Sequence, residues 1–442
     1  MDTSIKLNIN MKLIYKKVEF DKQKLKAIVV DNVAGAYFNI AIELRRWFDV
    51  YYHTIDQSEF PTPVSRYIGT GYDGITRVND FWSSVNDYDV FIFPDIYFKH
   101  YGNHLRSLGK MVWGGNQSED IETSRSLFKD SLQSVGLPIA NTQYLTGLSN
   151  LESFMKKNSD VWIKISYFRG LAETFHHIDM NQSMMWLNNI KSQLGPLAET
   201  QEFVIEDPID VIAEVGYDGY TINGMMPNTQ MWGVETKDSS YLGTWKKKED
   251  MPSSVIDVND KFGPILQKYK HTGFYSNEIR VGKDGKDYYT DPTMRAGSPP
   301  SNVYLNMISN WGDIIVSGCN GTLVEPTFTS KYGVELILKS NYCFSNFMPI
   351  TIDPKYRANL KLKSSLNVDG VDYIVPGDQV GGVEMEEFGS LVFVGDDIDN
   401  LFNQCLEAAK TISCFGLSYD KDALNNSKKG IEDITKTLNV TF

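Results

Sequence analysis

The sequence predicts an α/β protein that opens with a doubly wound parallel sheet. Two observations carry the prediction. Short apolar runs, AIVVD from Ala27, VYYHT from Val50, DVFIFPD around Phe91 and MVWGG from Met111, read as buried strands and are separated by stretches with helical spacing. Alternation of this kind implies crossover connections and a parallel sheet. The middle of the chain has a different pattern, in which GFYSNEIRVGKDGKDYYTDPTMR reads as two strands around a tight break, a hairpin.

Composition narrows the class. At 442 residues, with 42% hydrophobic and 22% charged residues, the chain can bury a large core and has the balance of an ordinary globular protein. No apolar run is long enough to cross a membrane, and the lysine-rich start lacks a signal-peptide core, so the expected address is cytoplasmic, with no membrane partner. A formal charge of -13 argues against wholesale nucleic-acid binding; Lys246-Lys247-Lys248 reads as a solvated loop. Cys319, Cys343, Cys405 and Cys414 have no CxxC spacing and are expected to be buried reduced thiols.

Taken in order, residues 1–24 are mixed, with LIYKKVEF as a possible edge strand. NIAIELRRWF, Asn39 to Phe48, is helical; a further helix-like stretch precedes the strand ending in Pro94 and Asp95, and a helix runs through HLRSLGK. Ligands of such sheets bind beyond the carboxyl ends of the strands, which places Asp31, Asp95 and Gly114-Gly115 near a cleft, although each is equally a strand-end turn residue. EDIETSRSLFKDSLQS reads as one amphipathic helix, closed by Gly-Leu-Pro and followed by a strand. Lys164 stands inside the apolar strand VWIKIS, where an ammonium is costly unless it meets an anion. QEFVIEDPID is a strand entering a linker, and Glu214 follows at a strand end. After Trp311 come more strands, the helix DIDNLFNQCLEAAK and a final surface helix in the tail.

The hairpin carries the chemistry. Its pairing brings Glu278 and Asp291 to one spot, with Arg295 four residues on. Hard cations take oxygen ligands, and a guanidinium fork grips phosphate or carboxylate, so the set suits magnesium bridging nucleotide phosphates.

The order Glu, turn, strand, acid-x-x-x-Arg resembles the carboxyl-terminal motif of the ATP-grasp ligases, in particular the phosphoribosylamine-glycine ligases, and the likeness runs through residues 25–430. Asp291 stands where the family has Glu, and Thr293 where it has Asn. The resemblance implies a pre-ATP-grasp domain over residues 1–120, an ATP-grasp lid and body over 121–330, and a small carboxyl-terminal α+β domain over 331–442. It implies ATP and Mg2+, with Mn2+ possible, as cofactors. It also implies roles: Lys129 and Lys164 on phosphates, with Arg169 and Gly170 in the lid loop; Glu206, Asp207 and Glu214 around the nucleoside; Glu278, Asp291 and Thr293 on metal; and Arg295 stabilising charge on an acylphosphate. The reaction implied is ligation of a small-molecule carboxylate to a small-molecule amine by a monomer or homodimer. The first strand ends VVDNVAGAY, without the glycine-rich turn of the glycinamide-forming enzymes, which leaves open a different amine acceptor (an amino acid, a peptide or a modified nucleobase). Asp for Glu and Thr for Asn leave open a nucleotide-binding protein with impaired catalysis. The acceptor pocket is expected between the amino-terminal sheet and the Arg295 to Ser301 loop.

Overall fold

The computed structural model describes residues 24–55, 64–166, 174–377 and 386–442. The possible edge strand LIYKKVEF, Arg169 and Gly170 lie outside the described residues.

Five parallel strands, β1 (Lys26–Asp31), β2 (Asp49–Thr54), β3 (Ile75–Arg77), β4 (Val90–Ile92) and β5 (Met111–Trp113), form the first sheet in the order β3-β2-β1-β4-β5. The reversal of strand order between β1 and β4 is the topological switch point of a doubly wound sheet. Helices α1 (Phe38–Leu44) and α2 (Lys99–Ser107) connect it. Strand β3 was not legible in the sequence, because it has three residues, none fully buried, and no apolar run. The helix-like stretch expected before β4 is, among the described residues, two 3-10 turns around β3. Glycines at 69, 71 and 74 take positive φ there, which no continuous α-helix accommodates.

The expected single helix after Ser118 is two, α3 (Glu119–Thr123) and α4 (Arg125–Ser134). Ser124 between them is extended and accepts the Leu127 N–H at 3.3 Å, so a cap starts a new helix where the periodicity suggested continuity.

A four-stranded antiparallel lid follows, β6 (Thr142–Thr146), β7 (Val161–Ile165), β8 (Thr174–His177) and β9 (Glu202–Glu206), in the order β6-β9-β7-β8. Helices α5 (Leu148–Met155) and α6 (Met180–Leu194) supply Leu151, Leu187 and Ile190 to its own small core.

The body is an antiparallel sheet of eight strands. β10 (Val211–Thr221), β11 (Thr229–Thr236), β12 (Ser240–Lys247), β13 (Gly273–Gly282) and β14 (Asp287–Thr293) continue through β12 into β15 (Tyr332–Lys339) and then a later strand, so the boundary expected at residue 331 falls within one continuous sheet. Glu214 is inside β10, not at a strand end. Helix α7 (Ser253–Lys268) covers one face; α8 (Pro300–Met307) and α9 (Trp311–Cys319) bury Tyr304 and Trp311 against the first sheet, in a core shared with Val29, Ile40 and Val90.

The remaining elements are β16 (Met348–Ile350), β17 (Leu360–Leu362), β18 (Ser365–Val368), β19 (Val371–Ile374), β20 (Glu387–Gly395), α10 (Ile398–Lys410) and α11 (Ala423–Leu438), of which β20 is the strand that pairs with β15. Helix α11 is packed on the body sheet, not a surface helix: Leu424, Ser427, Ile431 and Ile434 recur at helical spacing and are buried, and α11 meets β11 and β12. All four cysteines are free; Cys343 and Cys405 are buried as expected, whereas Cys319 and Cys414 are only partly covered.

Candidate functional site

Lid and body face each other across a cleft of about 860 Å³ lined by Arg125, Trp162, Lys164, Glu206, Asp207, Arg280, Glu278 and Asp291 among others. On the lid side, the carboxylate of Glu206 at the end of β9 lies between two ammonium groups. Lys129 of α4 reaches Oε1, and Lys164 of β7 reaches Oε2 at 2.8 Å. The arrangement follows from the backbone, since β7 runs antiparallel to β9 with Trp162 opposite Glu206 and Lys164 opposite Val204. All three side chains are nearly buried, at 4, 12 and 7% exposure for Lys129, Lys164 and Glu206. Burial pushes the Glu206 carboxyl up, but the two ammonium charges outweigh it and hold the group at about 2. Burial and the neighbouring Lys164 push Lys129 down to about 8. The anion that the buried lysine demands is therefore supplied by the chain. Two cations around one carboxylate leave a net positive charge facing the cleft.

On the body side, Glu278 of β13 stands opposite Asp291 of β14. Glu278 Oε1 accepts from the Thr290 hydroxyl at 2.8 Å and meets Arg280 at 3.1 Å, and Asp291 Oδ1 meets Arg125 at 2.8 Å. Burial raises the Asp291 carboxyl, and the Arg125 guanidinium more than reverses it, leaving it below its usual range. Arg280 also reaches Glu214 at 3.3 Å, joining Glu214 to the same group. Burial and the nearby Glu278 keep Glu214 above its usual range.

Arg295 occupies the wall beyond this pair. Its Nε donates to Glu122 of α3 at 2.7 Å and one terminal nitrogen donates to the Tyr37 hydroxyl at 2.8 Å, with Asp95 at 3.9 Å. Glu122 also accepts the Met294 N–H at 2.6 Å, so one carboxylate orients both the loop and the guanidinium.

The structure thus brings Lys129, Lys164 and Glu206 into one cluster and Glu214, Glu278 and Asp291 into another, with Thr293 and Arg295 on the adjoining wall. Asp207 lines the same cleft but belongs to neither cluster; it is exposed, and its carboxylate takes the Asn141 amide at 2.8 Å. Asp31 ends β1 and ties down the turn that follows: buried, it accepts the Tyr37 N–H and the Tyr52 hydroxyl, both at 2.9 Å. Burial and Asp95 push it up to about 7. Sequence reasoning missed Glu122, Arg125 as the partner of Asp291, and Arg280; Glu122 and Arg125 act on residues in another segment of the fold, and Arg280, two residues from Glu278, also reaches Glu214 on the neighbouring strand. It also missed Lys237, in the turn after β11, which lines the cleft.

Hard carboxylate oxygens suit magnesium, but among the described residues no group of three His, Cys, Asp or Glu side chains could hold a metal ion. Glu278 and Asp291 could offer two oxygen ligands, and phosphate oxygens and water would have to complete the shell of a bound magnesium. That donor set fits a magnesium–nucleotide complex better than a bare cation.

The parallel sheet, four-stranded lid and large antiparallel body together form the ATP-grasp fold. In particular, the chain is similar to phosphoribosylamine-glycine ligase from Thermotoga maritima, with a TM-score of 0.65 and 14% identity over 90% of this chain and 99% of that one. It is also similar to the biotin carboxylase domain of 2-oxoglutarate carboxylase from Hydrogenobacter thermophilus (TM-score 0.63, 10% identity, 95% and 100% covered). A third likeness is to N5-carboxyaminoimidazole synthetase from Staphylococcus aureus (TM-score 0.53, 13% identity, 88% and 99% covered). At these identities the likeness is one of fold. No family model and no curated protein matches the sequence.

Proposed function

We propose that this protein is an ATP-dependent ligase that activates a small-molecule carboxylate as its acylphosphate and joins it to an amine, releasing ADP and phosphate. The observation that supports it most is the opposition, across one cleft, of the cationic Lys129–Glu206–Lys164 cluster and the paired carboxylates Glu278 and Asp291. Phosphoryl transfer needs positioning and charge neutralisation more than covalent chemistry, and this arrangement offers both. The similar structures from Hydrogenobacter thermophilus and Staphylococcus aureus are complexes with ADP, the former also with magnesium.

In this reading Lys129 and Lys164 hold the phosphates, with the Glu206 carboxylate, which lines the cleft, fixing both ammonium groups beside it. Glu278 and Asp291 hold magnesium, which, when bound, neutralises charge on the transferred phosphoryl group. Arg295, fixed by Glu122 and Tyr37, stabilises the negative charge that builds on the activated carboxylate. Asp207 and Glu214 flank the nucleoside side. A chain that binds ATP with magnesium and releases phosphate only when a carboxylate and an amine are both present behaves as proposed. Phosphate release independent of any carboxylate, across a broad panel, would sink the reading.

A further inference from the structure

A smaller pocket of about 240 Å³ continues from Glu278 and Asp291 along the body sheet, and its far wall is the loop from Arg295 to Pro300. It lies between that loop and strands β10 to β13, whereas the acceptor pocket was expected against the amino-terminal sheet. Besides Glu278, Asp291 and the Arg280-paired Glu214, two carboxylates line it, Asp218 of β10 and Glu235 of β11.

Among the described residues neither has an ion-pair partner. The arginines nearby are spent elsewhere, Arg280 on Glu214 and Glu278, Arg125 on Asp291, and Arg295 on Glu122. Asp218 faces neutral donors alone: Oδ2 accepts the Tyr241 hydroxyl at 2.6 Å, and the Ser276 hydroxyl lies close by. Ser276 stands opposite Asp218 in register and is 7% exposed; its hydroxyl lines the pocket without completing a well-formed hydrogen bond. A buried hydroxyl with no partner beyond Asp218 has capacity left for one more hydrogen bond, to water or to a ligand atom. Glycine makes room for that phenol: a Cβ on Gly233 would sit 2.4 Å from the Tyr241 ring and displace the hydroxyl that holds Asp218. Burial pushes Asp218 up to about 6, in keeping with a carboxylate that lacks its counter-charge.

We infer that this pocket takes the amine substrate as a small, unphosphorylated cation, its ammonium group seated at Asp218 and hydrogen bonded to Ser276, with Glu235 adding negative charge from the exposed rim of the same pocket. The assignment of the pocket to the acceptor rests on the ligase reading above; the charge argument does not. An ammonium donates three hydrogen bonds and brings the positive charge that Asp218 and Glu235 lack, whereas a phosphorylated amine would bring two further negative charges beside these two acids, which no arginine offsets among the described residues.

The test is calorimetric titration with 1,3-diaminopropane and 3-aminopropyl phosphate, which share an aminopropyl arm and differ in charge, with and without a non-hydrolysable ATP analogue and magnesium. The diamine is expected to bind the nucleotide-free protein at least tenfold more tightly than the phosphate, and Asp218→Asn and Glu235→Gln are each expected to weaken it at least fivefold. Equal binding of the two probes, no diamine binding, undiminished binding in Glu235→Gln, or one-for-one displacement of the diamine by magnesium chloride alone would each overturn the inference. Glu235 is on the exposed rim, so its variant decides the matter if Asp218→Asn fails to fold. Failure of the ATP analogue to bind, with diamine binding intact, would instead overturn the ligase reading.

Discussion

Glu278 and Asp291 face each other directly across β13 and β14, and each already meets a guanidinium of its own chain, Arg280 at 3.1 Å and Arg125 at 2.8 Å. The two acids therefore sit without strong mutual repulsion in the absence of metal, and if they hold a cation they can offer it only two side chains. Magnesium alone is expected to leave the melting temperature nearly unchanged, whereas magnesium with ADP should raise it more than ADP alone, because only ligands of the native state stabilise by mass action. In Asp291→Asn the magnesium-dependent part of that rise should vanish and turnover should fall at least a hundredfold, about 2.7 kcal/mol of barrier. Turnover within tenfold of the parent would move the metal elsewhere.

The Lys129–Glu206–Lys164 cluster makes a pH prediction. The Glu206 carboxyl stands at about 2 in the folded chain against an ordinary 4.5, so its contribution is fully present above pH 4.5 and is lost as pH falls toward 2. The shift corresponds to about 3 kcal/mol. Glu206→Gln leaves two buried ammonium groups without their anion, and should lower stability at pH 7 by about 3 to 5 kcal/mol. Denaturant melts at pH 3, 5 and 7 check this: parent and variant should converge toward the lowest pH, and a constant gap would show that the charge is not the cause.

Lys164→Met should weaken ATP by about 1.5 to 3 kcal/mol, the range for a hydrogen bond to a charged group. Stability should also fall, because Glu206 loses one of its two cations. Calorimetry showing unchanged ATP affinity would make Lys164 a purely structural partner of Glu206.

Glu335 of β15 is buried, accepts the Asn302 amide at 2.7 Å, and is pushed up to about 8 by burial. Folding then takes up a proton between pH 4.5 and 8, so parent stability should decline through that window as pH rises, by up to about 1.4 kcal/mol per pH unit from this one group. Glu335→Gln mimics the neutral acid and should match the parent near pH 5 and exceed it above pH 8. Identical pH profiles for the two would show that Glu335 is ionised in the fold.

Arg295 is held by a fork that lysine cannot reproduce. Arg295→Lys should lower kcat by at least a hundredfold while changing ATP affinity less than threefold, and Glu122→Gln should lower kcat in the same direction by about tenfold. An equal loss of ATP affinity in Arg295→Lys would place the guanidinium on the nucleotide instead of on the activated carboxylate.

Much of the fold was legible because it is written locally. The buried runs of β1, β4 and β5 carry their own apolar stretches, the GKDGK break marks the β13–β14 hairpin, and one strand of alternating burial holds Lys164. The residues of the site were legible as types for the same reason: a lysine in an apolar strand and two acids flanking a turn are anomalies wherever they fall. What escaped was either too short to have a pattern, like β3, or depended on one side-chain cap, like the break at Ser124 that turns Arg125 and Lys129 inward. The partners escaped altogether. Glu206 closing on two lysines, Glu122 steering Arg295 from 173 positions away, and Asp218 left without a cation are products of chain reversal across the sheets. Sequence by itself determined which groups would be costly to bury; only the tertiary structure decided which of those costs are met by a neighbouring charge within the chain, since that depends on distances between segments that no local spacing encodes.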